Sequence, residues 1–428
     1  MSHKKKILYL ALCDPDLSVT GVTVRMGAFV RHLSEHYDIT LVNMTGSGHK
    51  AKPLPGPTSI DKAVTHRVQV PFSQAGYFLF SRQLYRAAKQ LLEENTYDYL
   101  VADYGLAAVY GVLLSKRYHL PLLYFSSNVE YRMYLELGRH DLRRLLLMPY
   151  VYWAEKTACR RAYRVVTVSE RDRYAYAKWT KLNKIISIPQ GFNPKEMNPF
   201  YSAPPDKRPV VLFTGSFRDE NNRQAARYIA KELAPQVAKV IPDVVFQLVG
   251  SDPPKDLAGP TVECLGFVEN ITPVVRRATV VVAPMPFGHG ISTKVVMSLA
   301  YGKAVLTTPQ VAGGMPREYE QLRVAPIEQF AQKLIEMLKM ALVVSDRGFE
   351  TLCQDLAWPD LIERLHFRIE HQSEYQSKYQ SEYQSERGEE APRPTPTTTA
   401  LRPSFRQREV LNDESVDTAY SQSLTLAE

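Results

Sequence analysis

The sequence predicts an α/β protein built as two successive Rossmann-like βαβ domains facing a cleft. Three observations carry this. Short runs of Val, Ile, Leu and aromatic residues alternate with segments of helical period. The runs are almost continuously apolar, as parallel strands covered on both faces are. The alternation then restarts after residue 208, beyond a stretch rich in Pro, Asn and charge. A chain of 428 residues is also long for one hydrophobic core, so two domains are expected.

In the first half, strands are expected at 7–12, 38–42, 68–72, 97–102, 120–125, 164–168 and 184–188. Helices are expected at 22–36, 81–95 and 107–117. A linker follows at 193–208. In the second half, strands are expected at 210–213, 244–249, 262–265, 279–283, 304–307 and 322–325, with helices at 222–240, 271–278, 293–301 and 327–342. The resulting boundaries are a first domain over 1–192, a second over 209–370 whose last helix packs back on the first, and a tail over 371–428. In that tail Ser-Glu-Tyr-Gln, Ser-Lys-Tyr-Gln and Ser-Glu-Tyr-Gln begin at Ser373, Ser377 and Ser381, ahead of a Pro/Thr tract. This composition reads as a disordered or loosely helical extension. Its period of four also places Tyr375, Tyr379 and Tyr383 near one helix face, where they would dock a partner.

Composition narrows the setting. Hydrophobic residues make up 45% and charged residues 23%, an ordinary globular balance. The four cysteines lie at no metal-ligand spacing and read as reduced thiols, and the ten histidines form no zinc pattern. The apolar run after Lys4, Lys5 and Lys6 is short and ends at Asp14-Pro15-Asp16 without a cleavage site, so it reads as a first strand. A cytoplasmic protein is expected. Asp14-Pro15-Asp16 has the form of a metal-binding Asp-x-Asp, yet its place after the first strand reads as loop chemistry.

Charge is uneven. Residues 1–200 hold 28 Lys and Arg against 16 Asp and Glu, while the rest hold 25 against 29. Within the basic half, residues 139–184 carry twelve cations against four anions around an aromatic and aliphatic run ending at Trp153. Such a mixture suits the inner face of a membrane and a peripheral contact there. The alternative is a core helix with a solvated basic face. No recognition motif for nucleic acid accompanies the charge.

The sharpest local signal is residues 283–308. A strand ends at Ala283, a loop carries Gly288 and Gly290 around His289, and a helix starts near Ser292 and stops at Gly302. The first amides of a helix have no internal partner and its dipole favours negative charge, so the arrangement is an anion site. Lys294 adds a point charge. An ordinary βα turn, with Ser292 as N-cap and Lys294 in solvent, explains the spacing equally well.

Here the chain resembles family 4 glycosyltransferases. Phe213-Thr-Gly-Ser-Phe with Asn221-Asn222, then Val249-Gly-Ser251, Gly266-Phe-Val268 and the Gly288–Gly302 loop-helix match that family's C-terminal domain in order. Asn128-Val-Glu130, Val168-Ser-Glu170 and Ile188-Pro-Gln-Gly191 resemble its N-terminal landmarks. The likeness is nearest to sugar transferases of bacterial exopolysaccharide systems. It implies the GT-B fold, a retaining sugar transfer from a nucleotide diphosphate sugar to a glycan or lipid-linked acceptor, and no metal or other cofactor. It places Gly288, Gly290, Ile291, Ser292, Thr293 and Lys294 at the donor diphosphate, with Gly21, Gly215, Ser216 and Arg218 bordering the cleft. Gly266, Phe267 and Val268 fall near the base, and Asn128 and Glu130 on the acceptor side.

Two departures stand out. The family's ribose-binding glutamate, three residues after the lysine, is Met297, and the first carboxylate of its glutamate pair is His289. A thioether is at best a weak acceptor, so the loss costs about 1–3 kcal/mol of donor binding. In the first domain Asp103 stands where many members carry a histidine facing the sugar. Asp103, His289 and Lys294 are therefore the expected catalytic set. The departures leave open a second class, a degenerate scaffold that binds without turnover, and a third, nucleotide-sugar epimerisation.

Overall fold

A computed structural model of the chain describes residues 4–16, 21–45, 60–73, 76–138, 142–197, 208–288, 290–340 and 345–371. It contains two parallel sheets. The first has β1 (Lys5–Ala11), β2 (Tyr37–Thr45), β3 (His66–Pro71), β4 (Tyr99–Asp103), β5 (Leu122–Phe125), β6 (Arg164–Thr167) and β7 (Ile185–Ser187), in the order β3-β2-β1-β4-β5-β6-β7. The second has β8 (Val210–Thr214), β9 (Val245–Val249), β10 (Val262–Gly266), β11 (Val280–Ala283), β12 (Ala304–Thr307) and β13 (Leu322–Val324), in the order β10-β9-β8-β11-β12-β13. All thirteen match the expected strands.

The helices are α1 (Gly21–Leu33), α2 (Arg82–Glu94), α3 (Ala108–Tyr118), α4 (Glu130–Gly138), α5 (Leu142–Arg161) and α6 (Glu170–Ala177) in the first half. The second half has α7 (Glu220–Tyr228), α8 (Ala234–Ala238), α9 (Thr272–Arg277), α10 (Thr293–Ala300), α11 (Pro309–Ala312), α12 (Phe330–Lys339), α13 (Asp346–Leu356) and α14 (Trp358–Glu370). They cover both faces of each sheet, which is why the central strands read as unbroken apolar runs: Ile7 to Ala11 are all fully buried. This is the GT-B architecture.

The helix expected at 222–240 is α7 and α8 joined by a π turn, Ile229–Leu233. Pro235 has no N–H to give to the turn before it, and the wider turn absorbs that loss. The helices α4, α6, α11 and α13 were not expected as elements; α14 is the last helix named in the expected second domain, and α5 falls where a core helix was one of the two readings. Most of the linker, 198–207, and the tail beyond His371 lie outside the described residues.

In each sheet the strand order reverses next to the first strand, between β1 and β4 and between β8 and β11. Such reversals open a crevice at the carboxyl ends of the strands, where ligands sit in this class of fold. Asp103 ends β4 beside Ala11 of β1, and the loop after Ala283 leaves β11 beside β8.

The chain returns to the first half at its end. Phe192 and Ala357 form a bridge, and the Trp358 ring lies 5.7 Å from that of Phe29. Further along α14, His366 Nδ1 meets the Tyr37 hydroxyl at 2.9 Å, and Tyr37 donates to Glu370 at 2.9 Å.

Asp14 and Asp16 both pair with Arg67, at 2.7 and 2.6 Å. Their carboxylates hold a loop against β3, in agreement with the structural reading of that motif. Among the described residues no group of His, Cys, Asp and Glu is placed to hold a metal.

Candidate functional site

The loop after β11 reaches the first half of the chain. Gly290 has φ +57°, and a Cβ there would lie 2.8 Å from Val168 Cγ2 and 3.2 Å from Asn128 Oδ1. Only glycine adopts that backbone and that approach without strain. A Cβ on Gly21, the first residue of α1, would lie 2.6 Å from Thr293 Oγ1. The starts of α1 and α10 therefore face each other across the crevice. Arg171 of α6 completes the contact, donating to the Gly288 carbonyl at 3.5 Å. His289 lies outside the described residues.

Ser292 takes the N-cap position of α10, but its side chain makes no cap bond and the first turn holds no acidic residue. The leading amides of α10 are thus open to an anion. Of the two sequence readings of this turn, the capped one places Lys294 in solvent. Here the Lys294 ammonium is instead enclosed. Its Nζ donates to Asn222 Oδ1 at 2.6 Å, touches Met285 Sδ at 3.3 Å and stands 4.3 Å above the Phe213 ring. Burial pushes it down to about 7, with the charge of Asp219 opposing. A half-buried cation with a single amide acceptor beside open amides can take an anion.

Asn222 ties the rest together. Its Nδ2 donates to the Ser216 carbonyl at 2.9 Å, and its backbone N–H caps onto Asp219 at 3.1 Å. Ser251 Oγ donates to Ser216 Oγ at 2.9 Å, and Gly215 N–H bonds Val249 in the strand behind. Asn221 Nδ2 holds the Phe287 carbonyl at 2.9 Å, fixing the approach to Gly288. The paired asparagines entered the sequence analysis only as landmarks; the structure makes them the scaffold of the lysine and the loop. Arg218 sits at the exposed rim, paired with Asp252.

On the other side of α10, Met297 and Ile291 pack with Val268 and Ile271 against the apolar cluster of Val249, Val295 and Val296. Gly266 has φ +74°, and next to it Phe267 leaves 71% of its surface exposed. An aromatic face in that position offers a stacking surface.

The first-half residues are deeper. Asp103 is 2% exposed and accepts from the Tyr9 hydroxyl, with the Arg25 charge nearby. Burial raises its carboxyl to about 6 against those two influences. Arg25 is itself buried; its Nη1 donates to the Pro189 carbonyl at 3.0 Å, its guanidinium stands 4.4 Å from the centre of the Phe29 ring, and its Nη2 has no hydrogen-bond partner among the described residues. The next residue, Tyr104, is held at φ +90°, a strained position for a bulky side chain and one that such sites favour.

Glu130 starts α4 fully buried. Asn128 Nδ2 lies 3.5 Å from its Oε1. Burial, then the charge of Glu155, raise the Glu130 carboxyl to about 8. Glu155 of α5 accepts from the backbone N–H of Glu130 at 3.0 Å and of Tyr131 at 2.9 Å, and from the Tyr176 hydroxyl. The same Tyr176 hydroxyl lies 3.1 Å from the Asn128 carbonyl. Glu155 thus holds in place the segment against which Gly290 closes. Sequence reasoning missed it because a glutamate in a basic, amphipathic stretch reads as solvated.

Residues 19–196 match the family model described as Glycosyltransferase Family 4, and residues 208–340 match Glycosyl transferases group 1. No match is found among curated proteins. The solved structure of Anabaena HepE in complex with UDP and glucose superposes with a TM-score of 0.63 at 16% identity, covering 86% of this chain and 100% of its own. Sucrose-phosphate synthase from Thermosynechococcus elongatus gives 0.65 at 17%, covering 89% and 100%. A glycosyltransferase from Rickettsia africae gives 0.61 at 12%, covering 86% and 99%. At these identities the structures speak for the fold. The two family models speak for the lineage, one on each sheet, and the chain belongs to the family 4 glycosyltransferases.

Proposed function

We propose that the chain transfers a sugar from a nucleotide diphosphate sugar, with retention, to a glycan or lipid-linked acceptor in bacterial polysaccharide synthesis. The carrying observation is the enclosed Lys294 ammonium beside the uncapped start of α10, at the crevice of the second sheet. When the bond between the anomeric carbon and the diphosphate oxygen breaks, negative charge collects on the diphosphate. Lys294 and the amides of residues 290–293 stabilise that charge as it develops. Gly21, Gly288 and Thr293 let the two halves close on it, and Gly215 and Ser216 border it. Phe267, with Gly266 and Val268, receives the base. HepE, of the same fold, is solved with UDP and with UDP-glucose, which makes uridine the first base to test.

Asn128 and Glu130 serve the acceptor side in this reading, and Asp103 and His289 complete the sugar's surroundings. Asp103 acts there through the network of Tyr9 and Arg25. The reading needs no metal or other cofactor and no nucleic acid. It places the protein in the cytoplasm, at the inner face of the membrane, with a peripheral contact through residues 139–184.

The test is Lys294→Ala. Transfer from the preferred donor should fall about a hundredfold or more, as when one charge-stabilising donor is lost. Unchanged turnover overturns the assignment. Met297 among apolar side chains, and Asp103 enclosed in its own half, favour the second reading, a scaffold that binds a partner without turnover. Acceptor-dependent sugar transfer that is lost on mutating Gly290 excludes it.

A further inference from the structure

The helix α5 has two faces. Met148, Val151, Ala154, Glu155, Ala158 and Cys159 are buried on the inner one. The outer one runs through Leu142, Leu146, Pro149 and Trp153, spaced at i, i+4, i+7 and i+11 and so aligned along one side. Leu142, Leu146 and Trp153 leave 67%, 73% and 52% of their surfaces exposed. Leu145 flanks this stripe, and the exposed Leu79 joins it, held there because Tyr150 donates to the Leu79 carbonyl at 2.6 Å. Isolated exposed leucines are ordinary, but a stripe of them ending in a tryptophan is a contact surface.

Charge selects the occupant. Lys156 and Arg160, at i+14 and i+18 from Leu142, fall on the side of the stripe, with Arg143 and Arg161 beside it, while Arg144 turns inward towards Glu130; the one acidic residue of the helix, Glu155, is fully buried. The outer surface of α5 is therefore apolar and cationic with no exposed carboxylate of its own. A protein partner's interface would mix both signs; a sheet of anionic headgroups over acyl chains matches this surface along its whole length of about 30 Å. No helix among the described residues is long and apolar enough to cross a membrane, so the fit is to a helix lying in the interface.

We propose that the outer face of α5 docks on an anionic lipid surface, with Leu142, Leu146 and Trp153 entering the headgroup layer. This names the surface for the peripheral contact proposed above. It rests on that reading only for the acceptor's nature. The same helix reaches the site from its inner face, where Glu155 holds the amides of Glu130 and Tyr131 beside Asn128. A membrane-bound acceptor would thus meet the acceptor-side segment one helix away from the lipid.

The experiment is sedimentation of the full-length protein with vesicles of phosphatidylcholine alone or mixed with phosphatidylglycerol, without any sugar donor. Binding should require the anionic lipid, weaken with salt, and fall about tenfold or more in Leu142→Glu/Leu146→Glu. Trp153 is the one exposed tryptophan of three, the others being buried Trp179 and Trp358, so lipid should shift the emission to the blue and Trp153→Phe should remove the shift. Absence of vesicle binding, or equal binding by the double variant, overturns the proposal. A dimer in solution that the double variant dissociates, without lipid binding, assigns the face to a second copy and also overturns it. Unchanged UDP binding by the double variant shows that it is folded and keeps a failure here separate from a failure of the donor site.

Discussion

Asn222 accepts from the Lys294 ammonium on one end of its amide and grips the Ser216 carbonyl with the other, so a single side chain sets the distance between Lys294 and the strand-end loop of β8. Replacing it with alanine leaves an enclosed ammonium without its acceptor, which is why the lysine cannot be judged apart from the asparagine.

The depressed ammonium predicts a pH dependence for nucleotide binding. Without ligand Lys294 loses its proton near pH 7; beside a diphosphate it regains its charge. Binding therefore takes up a proton above that pH, and UDP affinity should fall as pH rises from about 7. Titration calorimetry in buffers of different ionisation enthalpy checks this. Equal affinity at pH 6 and pH 9, with no proton uptake, contradicts it.

Gly290→Ala should separate binding from closure. The new methyl meets Val168 and Asn128 and forces an L residue to φ +57°, at a cost of about 1–2 kcal/mol. Turnover should drop at least tenfold while UDP still binds the second half. Loss of both together would show instead that the loop itself had collapsed.

Met297→Glu restores a carboxylate where the family keeps one. The side chain is only partly buried, so a glutamate can reach solvent from the edge of the apolar cluster. Nucleoside diphosphate affinity should rise about tenfold, the value of a hydrogen bond to a charged group. Thermal shift against UDP, GDP and ADP measures it and identifies the base. A variant that binds no tighter assigns the ribose to other groups.

Glu130 and Glu155 make stability fall with pH. Both carboxyls are raised, to about 8 and about 7, so the folded state holds protons that the unfolded chain releases near pH 4.5. Their contribution is whole below that pH and is lost as pH rises through 7 and 8. Glu130→Gln mimics the protonated form and should flatten the decline of melting temperature between pH 5 and 8. A wild-type midpoint that does not decline, or an identical decline in the variant, rules this out.

The strands were legible because a strand buried on both faces leaves a contiguous mark, and 304–307 was placed to the residue. The loop-helix at residues 283–308 was legible too, from glycine, cap and lysine in sequence. What escaped needed tertiary contact. Nothing local distinguishes Asn222 from any polar residue of a first helical turn until Lys294 arrives 72 positions later. Arg25 and Glu155 are buried charges, and their charge argued for the surface until Asp103 and the amides of α4 supplied partners. Asp103 was placed correctly at a strand end, but its enclosure by Tyr9 comes from the neighbouring strand.

The return of α14 to the first sheet has a consequence for synthesis. Phe29 and Tyr37 are fully buried, and α14 supplies cover for both, including Glu370, which lies 333 residues after Tyr37. At the usual pace of translation those apolar faces stay uncovered for on the order of tens of seconds after they leave the ribosome. The first half of the chain can assemble its sheet in that time but cannot finish its surface. A ribosome stalled within the second half would present a first half with uncovered apolar faces, and chains ending before α14 should aggregate more readily than the full-length chain.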